Sequence, residues 1–170
     1  GGATRGLVVL ATGLGKTWLS AFDSVNFDRV LFVAHREEIL NQALETFRKI
    51  RPGEYLGTYR GTERHQTAKI VFASVQTLSR RNHLERFSPG DFDYIVVDEF
   101  HHAAATSYRR LIHYFRPKFL LGLTATPERS DGSDLLDLCD GNLIYRCDLA
   151  EGIRRGLLCP FNYYGVPDDV

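Results

Sequence analysis

Lys16 and Thr17 end the run Ala11-Thr12-Gly13-Leu14-Gly15-Lys16-Thr17, whose residue types suit phosphate binding. Gly13 and Gly15 tolerate positive φ and carry no Cβ, so backbone N–H groups can turn toward phosphate oxygens. Lys16 would bring a positive charge to the β- and γ-phosphates of a nucleotide, and the Thr17 hydroxyl would ligate Mg²⁺. The strict phosphate-loop pattern places glycine six residues before the lysine, where this chain has Leu10. A short Gly-Lys-Thr match of this kind also occurs in ordinary turns, so a second site must support it.

Val96-Val97-Asp98-Glu99-Phe100-His101 supplies one. A phosphate loop holds Mg²⁺ through its Ser or Thr and through an acid at the end of a buried strand. Asp98 fits that acid. Glu99 beside it can polarise an attacking water as a general base. The alternative is that the two acids merely open a loop. His101 and His102 lie close by, but their spacing is not that of His-Glu-x-x-His and no third ligand is evident, so no histidine metal site is expected.

The elements that would position these residues can be read from hydrophobic periodicity. Wholly apolar runs at 7–10, 30–34, 70–73, 94–97 and 119–123 have the composition of strands buried on both faces of a parallel sheet. Helical patterns fall between them at 16–23, 37–50, 75–87 and 106–115. The first has Trp18, Leu19 and Phe22 at helical spacing, and the second has Leu40, Ala43, Leu44 and Phe47 along one face. A weaker strand is expected at 55–59 and a basic loop at 60–67. Further on, a short helix is expected at 133–138, a strand at 143–146, a helix at 148–155 capped by Asp148, and a last strand at 161–166. Alternating strands and helices predict an α/β fold, a mainly parallel sheet with helices on both faces. In such sheets ligands bind at the carboxyl ends of the strands, where the polar clusters Thr12–Thr17, His35-Arg36, Ser74, Asp98-Glu99 and Thr124–Thr126 fall.

Composition narrows the partners. The chain has 170 residues, 44% of them hydrophobic, with 21 basic and 21 acidic side chains. Contact with nucleic acid would therefore need a local patch, not a whole-domain field. Three cysteines without a Cys-x-x-Cys point to reduced thiols in a cytoplasmic protein. No apolar run is long enough for a membrane span, and no signal peptide is expected, because the first apolar run is short and leads straight into the loop. The chain enters its first strand almost at once, which leads us to expect a piece of a longer protein.

With both sites in place, the sequence resembles the first RecA-like domain of a superfamily 2 DExH-type helicase or translocase. Residues 11–17 are similar to that family's motif I, which commonly lacks the first glycine. Asp98-Glu99-Phe100-His101 resembles motif II and Leu123-Thr124-Ala125-Thr126-Pro127 motif III. Val33-Ala34-His35-Arg36-Glu37 resembles motif Ia and Ala73-Ser74-Val75-Gln76-Thr77-Leu78 motif Ib. Thr-Ala-Thr-Pro-Glu-Arg at 124–129, followed by Asp131-Gly132, is most similar to the branch containing type I and type III restriction motor subunits and excision-repair helicases.

The resemblance implies a RecA-like P-loop NTPase fold and the roles of its residues. Thr12, Gly13, Leu14, Gly15, Lys16 and Thr17 would bind ATP, and Thr17 and Asp98 would hold Mg²⁺. Lys16, Asp98, Glu99 and His101 would form the catalytic set. His101 would report γ-phosphate state toward Thr124 and Thr126, which would couple it to strand binding. Arg36, Ser74, Gln76 and Thr77 would face nucleic-acid phosphates, their alternative being local capping and turn formation. The implied function is the ATP-binding half of a nucleic-acid-dependent motor, on DNA more than RNA. An RNA helicase, a P-loop nucleotide kinase and a non-catalytic binding module are the alternatives. Residues 1–150 are expected to form the RecA-like domain and 151–170 to lead toward a second RecA-like domain of the parent. That second domain, with its arginine fingers, and the family's adenine-recognising segment are not found in these 170 residues.

Overall fold

The computed structural model describes residues 2–103, 105–125 and 132–159. Among the described residues eight strands form one sheet: β1 (Arg5–Leu10), β2 (Val30–Ala34), β3 (Leu56–Arg60), β4 (Glu63–Arg64), β5 (Ile70–Ser74), β6 (Tyr94–Val97), β7 (Phe119–Thr124) and β8 (Leu143–Cys147). Their order is β4-β3-β5-β2-β6-β7-β1-β8, and every pairing is parallel except β3 with β4. The helices are α1 (Lys16–Asp23), α2 (Glu37–Ile50), α3 (Val75–Leu78), α4 (Arg81–Leu84), α5 (Thr106–Tyr114), α6 (Gly132–Leu138) and α7 (Leu149–Arg154). The expected α/β architecture is therefore the observed one.

Strand side chains alternate between two cores. Val8, Val30, Phe32, Phe72 and Val96 pack with α1 and α2 on one face. Leu7, Leu31, Val33, Val71 and Val97 pack with α3, α4, α5 and α6 on the other. Phe32, Phe47 and Phe72 clamp α2 to the sheet with ring centroids 5.3–5.9 Å apart. Such aromatic pairs add about 0.5–1.5 kcal/mol each beyond the area they bury. The clamp holds the C-terminal part of α2 against the sheet.

The structure departs from expectation in several places. The apolar face of α1 points outward: Trp18, Leu19 and Phe22 are 42%, 42% and 58% exposed, and the helix instead buries Ser20 and Ala21. Small residues let α1 lie close on the sheet, and Ser20 Oγ satisfies itself on the Thr17 carbonyl at 2.8 Å. The helix expected at 75–87 is two short ones, because the backbone at Arg80 is extended and Arg110 Nη1 donates to the Ser79 carbonyl at 2.9 Å. Within the basic loop, β3 and β4 form a small hairpin. Asp148 caps α7 by accepting from the Glu151 N–H at 3.0 Å, as expected. The strand expected at 161–166 lies outside the described residues.

An apolar hollow of about 350 Å³ opens between α1 and β8, lined by Val8, Leu19, Phe27, Leu121 and Ile144. The three cysteines are unpaired. Burial pushes the Cys139 thiol up to about 12, which leaves it inert. Among the described residues no helix is long and apolar enough to cross a membrane.

Candidate functional site

The loop after β1 takes the form its residue types require. Gly13 (φ 89) and Gly15 (φ 81) are both left-handed, and Gly15 caps α1. The Lys16 ammonium reaches back over the loop to the Leu10 carbonyl at 3.0 Å. A residue other than glycine at position 10 is compatible with this geometry, because only its main-chain carbonyl faces the lysine.

Two strands away in the sheet, β6 ends in Asp98 and Glu99. Asp98 is 6% exposed, and its N–H is tied to the Val33 carbonyl at 2.9 Å. Its Oδ1 accepts from the Glu99 N–H at 2.8 Å. Glu99 is held left-handed at φ 53, a conformation costing a non-glycine residue about 1–3 kcal/mol and found most often at functional sites. A short 3-10 turn, Phe100–His102, follows it. His101 Nδ1 lies 3.2 Å from the Thr124 hydroxyl at the end of β7. The expected link between His101 and Thr124 is thus present as a contact, while Thr126 lies outside the described residues.

A cleft of about 470 Å³ joins these groups, with Thr12, Lys16, Thr17, Arg36, Asp98 and Glu99 in its walls. Gln42 and Thr46 of α2 also face it; nothing in their sequence context marked them. Burial lowers the Lys16 ammonium from the usual lysine range against the opposing pull of Asp98 and Glu99. Burial raises the Asp98 carboxyl, opposed by the Glu99 N–H and by Lys16. Each charge thus bears a burial cost that a phosphate beside Lys16 and a divalent cation beside Asp98 would offset. The donor set therefore fits a nucleotide with Mg²⁺.

The residues expected to meet nucleic acid divide into two kinds. The Arg36 side chain is 69% exposed. Gln76 is exposed, and its Nε2 donates to the His35 carbonyl at 2.7 Å, tying together the ends of β2 and β5. Ser74 and Thr77 are only 5% and 8% exposed. Ser74 Oγ donates to Thr77 Oγ1 at 2.9 Å and caps α3 by accepting from the Thr77 N–H. These two hydroxyls perform the capping foreseen as their alternative.

Four features of the site escaped the sequence. Glu99, His101 and His102 have ligand atoms within 4.8 Å of one another, a grouping their linear spacing did not suggest. Gly122 of β7 leaves room for the buried Phe100 ring: a Cβ there would lie 2.7 Å from it. Tyr108 of α5 is buried near the acids; burial, then Glu99 and Asp98, raise its phenol, and its hydroxyl has no hydrogen-bond partner among the described residues. A Leu14 methyl would lie 3.5 Å from a Cβ at Gly152, so α7 backs the phosphate loop.

A parallel sheet with a glycine loop and paired acids at its strand ends defines a P-loop domain of the RecA-like class. Residues 1–129 match the family model described as type III restriction enzyme, res subunit, and the chain belongs to that family. It is 30% identical to the type I restriction enzyme EcoAI endonuclease subunit of Escherichia coli, over 99% of this chain and 22% of that protein. It is 31% identical to the DNA 3'-5' translocase XPB2 of Sulfurisphaera tokodaii, over 86% of this chain and 33% of that protein. The fold is also that of the Pyrococcus furiosus Hef helicase domain, with a TM-score of 0.72 at 24% identity over 90% of this chain and 37% of that one. The chain thus spans 22–37% of the length of these relatives.

Proposed function

We propose that this chain is the ATP-binding half of a motor that moves along nucleic acid, with DNA preferred to RNA. The observation that carries the reading is the convergence of Lys16, Thr17, Asp98, Glu99 and Arg36 on one cleft at the strand ends. Lys16 and the loop N–H groups hold the phosphates. Thr17 and Asp98 hold Mg²⁺, which neutralises charge on the phosphate oxygens when bound. Glu99 takes the proton of the attacking water. His101 passes the state of the γ-phosphate to Thr124. Arg36 and Gln76 meet backbone phosphates, a sequence-independent contact, with Ser74 and Thr77 capping the short helix α3 from which Gln76 projects. The similarity to a DNA translocase supports DNA, and unpaired thiols suit the cytoplasm.

The opposing wall of the cleft would come from a second RecA-like domain of the parent. An arginine finger from such a wall is worth about 10³–10⁵ in rate. The 170 residues alone are therefore expected to bind ATP weakly and hydrolyse it negligibly.

The test uses the longer parent protein. Its ATPase is measured alone, with duplex DNA, with single-stranded DNA and with RNA. Stimulation by DNA supports the reading. Stimulation by RNA alone removes the DNA preference, and no stimulation by any polynucleotide removes the motor. Phosphate transfer to a nucleoside monophosphate would favour a kinase instead.

A further inference from the structure

β2 and β6 are neighbours in register, with Val33 opposite Val97. The chain leaves these strands through Arg36 and Glu99, and the two side chains meet across the mouth of the cleft. Arg36 Nε lies 3.9 Å from Glu99 Oε1. The other carboxylate oxygen, Oε2, is buried and has no hydrogen-bond partner among the described residues. One oxygen therefore faces a guanidinium and the other is enclosed, so a water must approach the carboxylate from the side that Arg36 flanks. The backbone of Glu99 does not relieve this, because φ 53 fixes the direction in which its side chain leaves.

The arrangement is asymmetric. The Glu99 side chain is 18% exposed and the Arg36 side chain 69%. Arg36 can swing outward while Glu99 stays. The loop beneath it is held by Gln76 on the His35 carbonyl, so the movement needs only the side chain. A guanidinium binds carboxylate and phosphate through the same planar array of donors. Only the Nε edge lies near Glu99, so a backbone phosphate that draws the exposed guanidinium outward would lengthen a contact that already stands at 3.9 Å.

We infer that Arg36 is a brake on Glu99, released when a nucleic-acid phosphate takes the guanidinium away. This rests on the motor reading above. In the braked state Arg36 occupies the carboxylate. In the released state Glu99 accepts a proton from water as the water oxygen bonds to phosphorus and the bond to the diphosphate leaving group breaks. Arg36 touches neither water nor nucleotide in this scheme. It is a positioning residue acting through Glu99, and it would make hydrolysis depend on occupancy of the nucleic-acid site.

The experiment compares the parent protein with its Arg36→Gln and Arg36→Lys forms, with and without saturating DNA. An exposed ion pair has a small energy, so kcat without DNA should rise about 1.5- to 5-fold in Arg36→Gln. KM for ATP should be unchanged. Because the same guanidinium meets backbone phosphate, Arg36→Gln should also need more DNA for half-maximal stimulation, and the fold-stimulation by DNA should shrink. Arg36→Lys, which keeps the charge but loses the fork of donors, should fall between. Added to Glu99→Gln, Arg36→Gln should give no rise. A kcat without DNA that is unchanged or lowered in Arg36→Gln, with only weaker DNA binding, overturns the brake and leaves Arg36 as a plain phosphate contact. A wild-type protein that no polynucleotide stimulates overturns the motor reading separately. The rise in Arg36→Gln would then still report the hold on Glu99.

Discussion

The Lys16 ammonium donates to the main-chain carbonyl of Leu10 at 3.0 Å. Leu10 stands where the strict phosphate-loop pattern has glycine, and the structure divides its two functions. The carbonyl meets the lysine, while the side chain is 7% exposed and belongs to the core shared with Ala21 and Phe32. Leu10→Gly would restore the pattern and lose the core contact. It should destabilise the chain by about 3–5 kcal/mol, from cavity formation and added backbone freedom. Urea unfolding measures the loss; a stability within error of wild type would show that the side chain does not pack as described.

Lys16 and Glu99 should separate binding from turnover. Removing a charge-assisted bond of Lys16 costs about 1.5–3 kcal/mol, or roughly 10- to 100-fold in ATP affinity. Lys16→Ala should show that loss by titration with a non-hydrolysable ATP analogue. Glu99→Gln should bind ATP normally and lose about 10²–10⁴ in kcat in the parent protein, the range for general base catalysis. Near-normal turnover in Glu99→Gln would remove the base assignment.

How much of this was legible in the sequence depends on the range of the interaction. β2, α2 and β6 were read to the residue, because an unbroken apolar run and a one-sided helix are set by burial that leaves a local trace. The same periodicity misled at α1. There Trp18, Leu19 and Phe22 form a helical stripe that faces outward, since the sheet accepts only the small Ser20 and Ala21. The phosphate loop and the acid pair were legible because their chemistry needs particular residues in order. The Arg36–Glu99 contact, the Gly122 notch and the split at Arg80 were not, because each depends on a partner on another element. Ser74 and Thr77 could be read either as phosphate contacts or as caps; in the structure both are buried and hydrogen-bonded to each other at the start of α3.

His83 should make stability sensitive to mild acid. It is 8% exposed and its Nδ1 lies 3.0 Å from the hydroxyl of the buried Tyr59. Burial first, then Arg64, Arg86 and Arg80, lower its pKa from the ordinary histidine value. Below about pH 6.5 the unfolded chain gains a proton there that the folded chain refuses, so folding becomes less favourable as pH falls. The melting temperature should drop between about pH 7.5 and 5.5. His83→Gln should flatten that drop; an equally steep drop in the variant would locate the acid sensitivity elsewhere.

Gly122 should matter to catalysis although it touches no nucleotide. A Cβ at this position would lie 2.7 Å from the Phe100 ring. That ring is wholly buried in the core. Phe100 directly follows Glu99 and precedes His101, so pushing the ring must move the base, the His101–Thr124 contact, or both. Gly122→Ala should cost about 1–3 kcal/mol in stability through overpacking. In the parent protein it should also lower kcat at unchanged KM for ATP, since the phosphate loop on β1 is untouched. Phe100→Leu makes room for the added methyl, so the double variant should recover part of both losses. Recovery beyond the sum of the single effects measures the coupling directly. A Gly122→Ala protein with wild-type stability and turnover would mean that the notch does not position Glu99.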